Sequence, residues 1–429
     1  MNIYNKKLIE EYTFQIISRA KSIITRCNSL LSQDFASDAP KRLAETLIKS
    51  CEYLEEATIY FYKDIEWSNT KKVEASFTLL QAIDSVVRDI GAHIRYIDGA
   101  LTQKLPWSFV IPIQKNIKNY LPGTDIEILL RPQWKYNYTI ITDNLYDYYY
   151  KILSPYELFT KTDLKDVLKI SKNFYIISFP TIERKNILLH CLLGHEIGHL
   201  ASKEFIKRFR EKALQNIKND INPVIVKDIN ARFDEVMNKK KTENGTEIPP
   251  LFLHEIKKGL IQEELSRAIR KATKAWENGL EEILSDIIGC ILFGPALLFS
   301  LLEIALQKSD GLDVKPSDEN RYYPPWRMRL REVVNIVNDM TVFPLPKDKF
   351  KNKNIPQSVS ERFDIIKDIV KEETDQKQIE TDVTLNISYK YIKEHITEGK
   401  KFFIEKYKPL SKDFYNKESD FYEKNTTFN

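Results

Sequence analysis

The sequence predicts an α+β chain, predominantly helical, with one small sheet between helical regions. Three observations carry that expectation. The first hundred residues place apolar side chains at three- and four-residue steps. Near Pro106 the pattern changes to short β-branched and aromatic runs bounded by Pro, Gly and Asp. After FYIISFP, residues 174–180, helical periodicity returns and persists with few breaks.

NKKLIEEYTFQIISRAKSIITRCNSLLSQ, APKRLAETLIKSCEYLEEATIYFYKDI and KKVEASFTLLQAIDSVVRDIGAHIRYID read as three long helices joined by short links, a bundle over 1–105. Asp38 and Pro40 stand at the start of the second helix, Asn69 and Thr70 at the start of the third. WSFVIPI, DIEILLRP, YNYTIITD and FYIISFP read as strands of a domain spanning 106–345. Residues 203–275 are Lys/Glu-rich and helical, broken by the loop KKKTENGTEIPP, and read as an insertion in that domain. An apolar helix pair follows over 277–307. The loop RYYPPWRMR then enters another helix. Residues 346–429 read as a polar, helical extension whose last fifteen residues fray.

Composition narrows the function. A hydrophobic fraction of 42% suits a core-forming chain. The 65 basic residues nearly cancel the 61 acidic ones, so the charge carries no nucleic-acid footprint. Cys27, Cys51, Cys191 and Cys290 lack CxxC spacing and read as reduced thiols. The opening residues hold no apolar run long enough for a signal peptide, which adds to the expectation of a cytoplasmic protein. Residues 287–302 carry no charge, but they fall short of the ~20 residues of a spanning helix. Gly294-Pro295 also interrupts them, so a buried core helix is the simpler reading.

The chemistry concentrates in HEIGH, residues 195–199. Histidines four apart on a helix point the same way, so the imidazoles of His195 and His199 can meet one cation. Glu196 leans toward the open side of that cation, where a carboxylate can take a proton from a water. Gly198 leaves room for a strand or substrate to pass close. The plain alternative is a core helix whose histidines bond to backbone. A catalytic zinc needs a third protein ligand. WENGLEEILSDIIG, 276–289, offers Glu282 and Asp286, four apart at the mouth of the uncharged run. Buried there, two carboxylates need neutralising; metal for Glu282 and a ligand histidine's N–H for Asp286 would do it. The alternative is a solvated helix start in which Glu281, Glu282 and Asp286 favour the N-terminal dipole.

HEIGH followed by EEILSD resembles the gluzincin pattern of zinc metallopeptidases, HExxH then ExxxD on a second helix, and is similar in wording to the thermolysin-like NExxSD. The resemblance implies a zincin-like catalytic core, a small sheet plus an active-site helix. It implies Zn2+ held by His195, His199 and Glu282, with Glu196 as general base and Asp286 orienting a ligand histidine, His195. It implies a protein or peptide substrate hydrolysed by a water on the zinc. FYIISFP would either line the cleft as an edge strand that pairs with extended substrate or lie inside the sheet. The sequence departs from the family in the long gap between His199 and Glu282, and in Glu281, which stands where the family has Asn.

An oxyanion donor besides zinc is sought in RYYPPWRMR, where Arg321, Tyr322, Tyr323, Arg327 and Arg329 are available and Tyr323 is preferred; a packed loop with surface arginines is the alternative. Two other functions compete. One is a membrane-associated HExxH protease that uses the apolar run. The other is a helical interaction protein with a structural or degenerate zinc site.

Overall fold

The structure is a computed structural model and describes residues 5–103, much of 105–143, 153–154, 173–183, 186, 189–243, 250–307, 312, 323–338, 357–371 and 382–425. The chain is predominantly helical with a three-stranded sheet. It divides into two compact units, Met1–Asn186 and Ile187–Asn429.

The first unit starts with α1 (Lys6–Leu31), α2 (Ala39–Lys63) and α3 (Thr70–Gly99). Asn5 caps α1 by accepting from the Lys7 amide at 2.9 Å, and Asn69 caps α3 by accepting from Lys71 and Lys72. Asp38 precedes α2 without a side-chain cap bond, and Pro40 occupies the first turn. The strands are β1 (Ile126–Gln133), β2 (Thr139–Asp143) and β3 (Asn173–Pro180). Their order is β1-β3-β2, with β3 parallel to β1 and antiparallel to β2.

FYIISFP is therefore the central strand, not an edge. Its residues from Phe174 to Phe179 are buried on both faces, and both of its edges are paired. Leu129, Phe174 and Ile176 share one core with the three helices. Consequently the bundle and sheet form one unit, and the division falls between 186 and 187 rather than at the expected 105/106 and 345/346. WSFVIPI also differs from expectation. Its described residues Val110 and Ile111 are helical, and Gln114 just after it anchors the segment by donating to the Ile128 carbonyl at 2.6 Å.

The second unit is built on α4 (Leu192–Glu243) and α5 (Pro250–Phe293), which form a long helical pair. The segment 203–275 is thus no separate insertion: it is the continuation of the two helices that carry HEIGH and EEILSD. Residues 244–249 of the expected loop lie outside the described residues. Gly294, at φ 68°, turns the chain from α5 into α6 (Ala296–Gln307). Among the described residues, no helix is long and apolar enough to cross a membrane. The uncharged run is core instead, with Ile287, Ile288, Cys290 and Ile291 fully buried.

Next come α7 (Trp326–Asn338), α8 (Gln357–Lys371) and α9 (Val383–Asn425). Arg327 and Arg331 of α7 donate to the carbonyls of Ile369 and Val370, binding the C-terminal end of α8. The C-terminal region is not a polar appendage. α9 buries Tyr389, Ile392, Ile396 and Phe403, packs along α5, and stays helical to Asn425. Its rings join those of α4 and α5: Phe403 meets Phe205, and His395 meets both Phe209 and Trp276.

The crossing of α4 over α5 decides what the site can be. A Cβ on Gly198 would stand 2.4 Å from the Cα of Ser285, and one on Gly194 would stand 2.9 Å from the Cα of Gly289. Gly198 therefore makes room for a helix backbone, not for the strand or substrate expected from sequence. Replacing Gly198 by Ala forces the two backbones apart, and urea denaturation should show a loss of about 1–3 kcal/mol. Gly259, in the same helix pair with nothing within 4 Å of its Cβ position, supplies the opposite control. There Gly→Ala should stabilise by up to about 1 kcal/mol.

Candidate metal centre

His195 and His199 sit one turn apart on the first part of α4, and Glu281, Glu282 and Asp286 face them from α5. The close backbone approach brings these short side chains within reach. His195, His199 and Glu282 each offer one donor atom, and the three atoms lie within 4.8 Å of one another. Glu282 sets Oε2 3.7 Å from His195 Nε2 and Oε1 3.7 Å from His199 Nε2. Ligands at ordinary zinc distances in a tetrahedral shell stand about 3.3 Å apart, so the spacing suits one small cation.

The remaining ring nitrogens fix the tautomers. His195 Nδ1 donates to Asp286 Oδ1 at 2.7 Å, and His199 Nδ1 donates to Glu281 Oε1 at 3.0 Å. An ionised carboxylate only accepts, so both rings carry their proton on Nδ1. A ring that is neutral in that form presents a lone pair at Nε2, and the two Nε2 atoms face each other at 3.0 Å. Two lone pairs and a carboxylate so arranged repel unless a positive charge lies among them. The donor set, two imidazoles and one carboxylate, is one that zinc accepts.

Arg329 of α7 closes the buried side. Its Nε and one terminal nitrogen donate to Asp286 at 2.7 and 2.9 Å, and its other terminal nitrogen lies 2.9 Å from Glu282 Oε2. The ring of Trp326 stacks on the guanidinium, 4.2 Å from its carbon. Burial by itself would raise the Asp286 carboxyl, but Arg329 and His195 outweigh it and hold the group down to about 2. Burial opposes the charge on Arg329 as well, yet Asp286 and Glu282 keep it firmly protonated. His195 is pushed down by burial and lifted further by Asp286, so its net shift is upward.

Glu196 is partly buried. Burial raises its carboxyl above the ordinary range, against the opposing pull of His195 and His199. That is the direction useful to a group that must accept and release a proton near neutral pH. Glu281 shows the reverse balance: burial raises it, but its hydrogen bond to His199 prevails and lowers it. The side chains of His199 and Glu281 are 25% and 29% exposed, whereas those of His195, Glu282, Asp286 and Arg329 are 11% or less. The centre therefore opens to solvent on the His199 side.

Of the residues singled out by sequence, His195, Glu196, His199, Glu282 and Asp286 come together here. Tyr323 stands just before α7, 39% exposed, where it acts electrostatically on Arg329 and its carbonyl accepts from the Tyr389 hydroxyl at 3.5 Å. Arg329 is engaged by the two carboxylates rather than held out as an oxyanion donor, and Arg327 is engaged by Ile369. Arg321 and Tyr322 lie outside the described residues. Sequence reasoning missed two roles. Glu281 orients His199, and its signal was adjacency to Glu282. Arg329 clamps the two buried acids, and only its place in the tertiary structure reveals that.

No family model and no solved structure matches the chain. Among curated proteins, a dephospho-CoA kinase from Borreliella burgdorferi is 33% identical over 96 residues, 22% of this chain and 44% of that protein. The chain thus matches less than half the length of that relative. So partial a likeness establishes no family and leaves the site to be read from its own chemistry.

Arg329→Met removes the guanidinium that pairs both acids and leaves Asp286 and Glu282 buried with excess negative charge. Stability of the metal-free protein should fall by about 3–5 kcal/mol. Chemical denaturation of metal-free parent and variant measures this. A double change that also converts Asp286 to Asn should recover part of the loss.

Proposed function

We propose that the chain is a zinc-dependent metallopeptidase with a gluzincin-like site, acting on the peptide bonds of a protein or peptide substrate. The observation that carries this reading is the pair of histidines, each with Nδ1 on a carboxylate and Nε2 3.0 Å from the other's, beside Glu282. A structural site closes all four positions with side chains, whereas a catalytic one keeps a place for water. Three donors from the chain, with an opening beside His199, fit the second arrangement.

In this reading His195, His199 and Glu282 hold the ion. When bound, zinc supplies a Lewis acid that brings the pKa of a water to about 7 and polarises a carbonyl. The chain supplies the rest. Glu196 takes the proton of the attacking water on its carboxylate and returns it to the leaving amine. Asp286 and Glu281 hold the two rings with Nε2 toward the ion. Arg329 fixes Glu282 and Asp286 against each other, so the acids stay ionised and in place. Tyr323 is the proposed oxyanion donor; its exposure leaves it able to swing toward bound substrate.

A kinase reading has less support. The partial relative lends only its name, and the sequence contains no GxxxxGK[ST] loop to cradle nucleotide phosphates. A zinc-stabilised interaction protein uses the same ligands but needs no base at Glu196.

Substitution separates these. Glu196→Gln should bind zinc at parental stoichiometry and lose peptide hydrolysis by about 10²–10⁴-fold. His199→Ala should lose the metal, read by elemental analysis of purified protein. A Glu196→Gln protein that cleaves peptides at the parental rate would falsify the assignment.

A further inference from the structure

We propose that Arg131, Arg95 and the Tyr96 hydroxyl form a binding site for a phosphoryl dianion in the first unit, beside the carboxyl ends of β1 and β3. The site does not depend on the metal-centre reading, whose residues all belong to the second unit. Arg131 stands two residues before the end of β1, directly across from Ser178 on the parallel strand β3. The carboxyl ends of parallel strands are where open sheets take ligands. Gly99, at the end of α3, lets the arginine stem pass close: a Cβ there would stand 3.1 Å from the Arg131 Cβ. The guanidinium carbon of Arg131 then lies 4.7 Å from the centre of the Tyr96 ring, and that of Arg95 lies 4.8 Å from the same ring.

The cluster holds donors and lacks an acid. Arg131 Nε donates to Ser178 Oγ at 3.0 Å, and a terminal nitrogen of Arg95 donates to the Tyr96 hydroxyl at 2.9 Å. Because both hydroxyls accept, each keeps its own hydrogen for a further bond. Tyr96 is 5% exposed and Ser178 is fully buried. Among the described residues, no acceptor takes the Tyr96 hydrogen or meets the two terminal nitrogens of Arg131, and neither arginine has an ion pair. The other described arginines of this unit, Arg19, Arg26, Arg42 and Arg88, each pair with Asp or Glu. Burial lowers the pKa of Arg131; Tyr96 opposes that, Arg95 adds to it, and no carboxylate acts on the group. Donor hydrogens without an acceptor are costly in a half-buried place. Ser178 and the Tyr96 ring fix the plane of the Arg131 fork, and a planar fork with both terminal nitrogens available suits bidentate contact with phosphate oxygens. Two uncompensated positive charges match a phosphoryl dianion better than a single carboxylate.

The test is calorimetric titration of the full chain with inorganic phosphate, then with acetate, at constant ionic strength. The parent should bind phosphate more tightly than acetate. Arg131→Met should weaken phosphate binding by at least about 10-fold. Arg131→Lys, which keeps the charge and loses the fork, should fall between parent and Arg131→Met. Tyr96→Phe, which keeps the ring under both guanidiniums, should lose about 3–10-fold. Arg210→Met, at an arginine of the second unit paired with Glu277, should bind as the parent does. His199→Ala should also match the parent, which separates this site from the metal centre. A parent that binds no phosphate overturns the proposal, as does acetate binding equal to phosphate. Parental affinity in both Arg131→Lys and Tyr96→Phe overturns it too, even where Arg131→Met fails to fold. Glycerol phosphate run beside inorganic phosphate identifies the source: tighter binding of the ester supports a phosphoryl group carried on a larger ligand, and tighter binding of the free ion supports phosphate itself.

Discussion

The close crossing of α4 and α5 is the constraint on which the second unit depends. Side chains of Asp, Glu and His are short, and two helices packed through leucines keep their axes about 8–10 Å apart. Here Gly198 lies on Ser285 and Gly194 on Gly289, with no space for a methyl group at either contact. The backbones touch, and residues flanking the contact then reach across it. His195 finds Asp286 and His199 finds Glu281 because the crossing sets them opposite each other. Packing elsewhere holds the crossing in place. Leu193 and Ile197 on α4, and Ile283, Leu284 and Ile287 on α5, are fully buried around it.

Such an approach gathers charge in a place that would otherwise exclude it. Three acids and two histidines within a few ångströms, in an apolar surround, are costly unless they are paired. α7 answers with a single guanidinium, whose planar fork bonds Asp286 twice and Glu282 once. What is left uncompensated is the small space between the two Nε2 atoms and Glu282, where donors converge and no donor hydrogen points. The three donor atoms that converge there could hold a metal ion.

Legibility in the sequence followed the range of the interactions. The three N-terminal helices, the start of the third at Asn69, and the strands DIEILLRP, YNYTIITD and FYIISFP were readable, since each is set by local periodicity and neighbouring polar residues. WSFVIPI was not: its β-branched residues suit a strand, but its two described residues, Val110 and Ile111, are helical. The 203–275 segment and the region after 346 looked polar enough to be appendages. Each hides one apolar stripe, and α9 spends its own on the long α4–α5 pair. A stripe on a lysine-rich helix gives a weak average and a strong contact.

By itself the sequence determined that His195 and His199 share a helical face, with Glu196 beside them, and that Glu282 and Asp286 share another. Those facts follow from 3.6 residues per turn and need no partner. Tertiary structure alone decided that the two faces meet, that Gly198 yields to a backbone, that Arg329 serves the acids, and that Glu281 belongs to His199. Each of these depends on residues far apart in the chain whose meeting is set by how closely two helices can pack, a distance that no local pattern encodes.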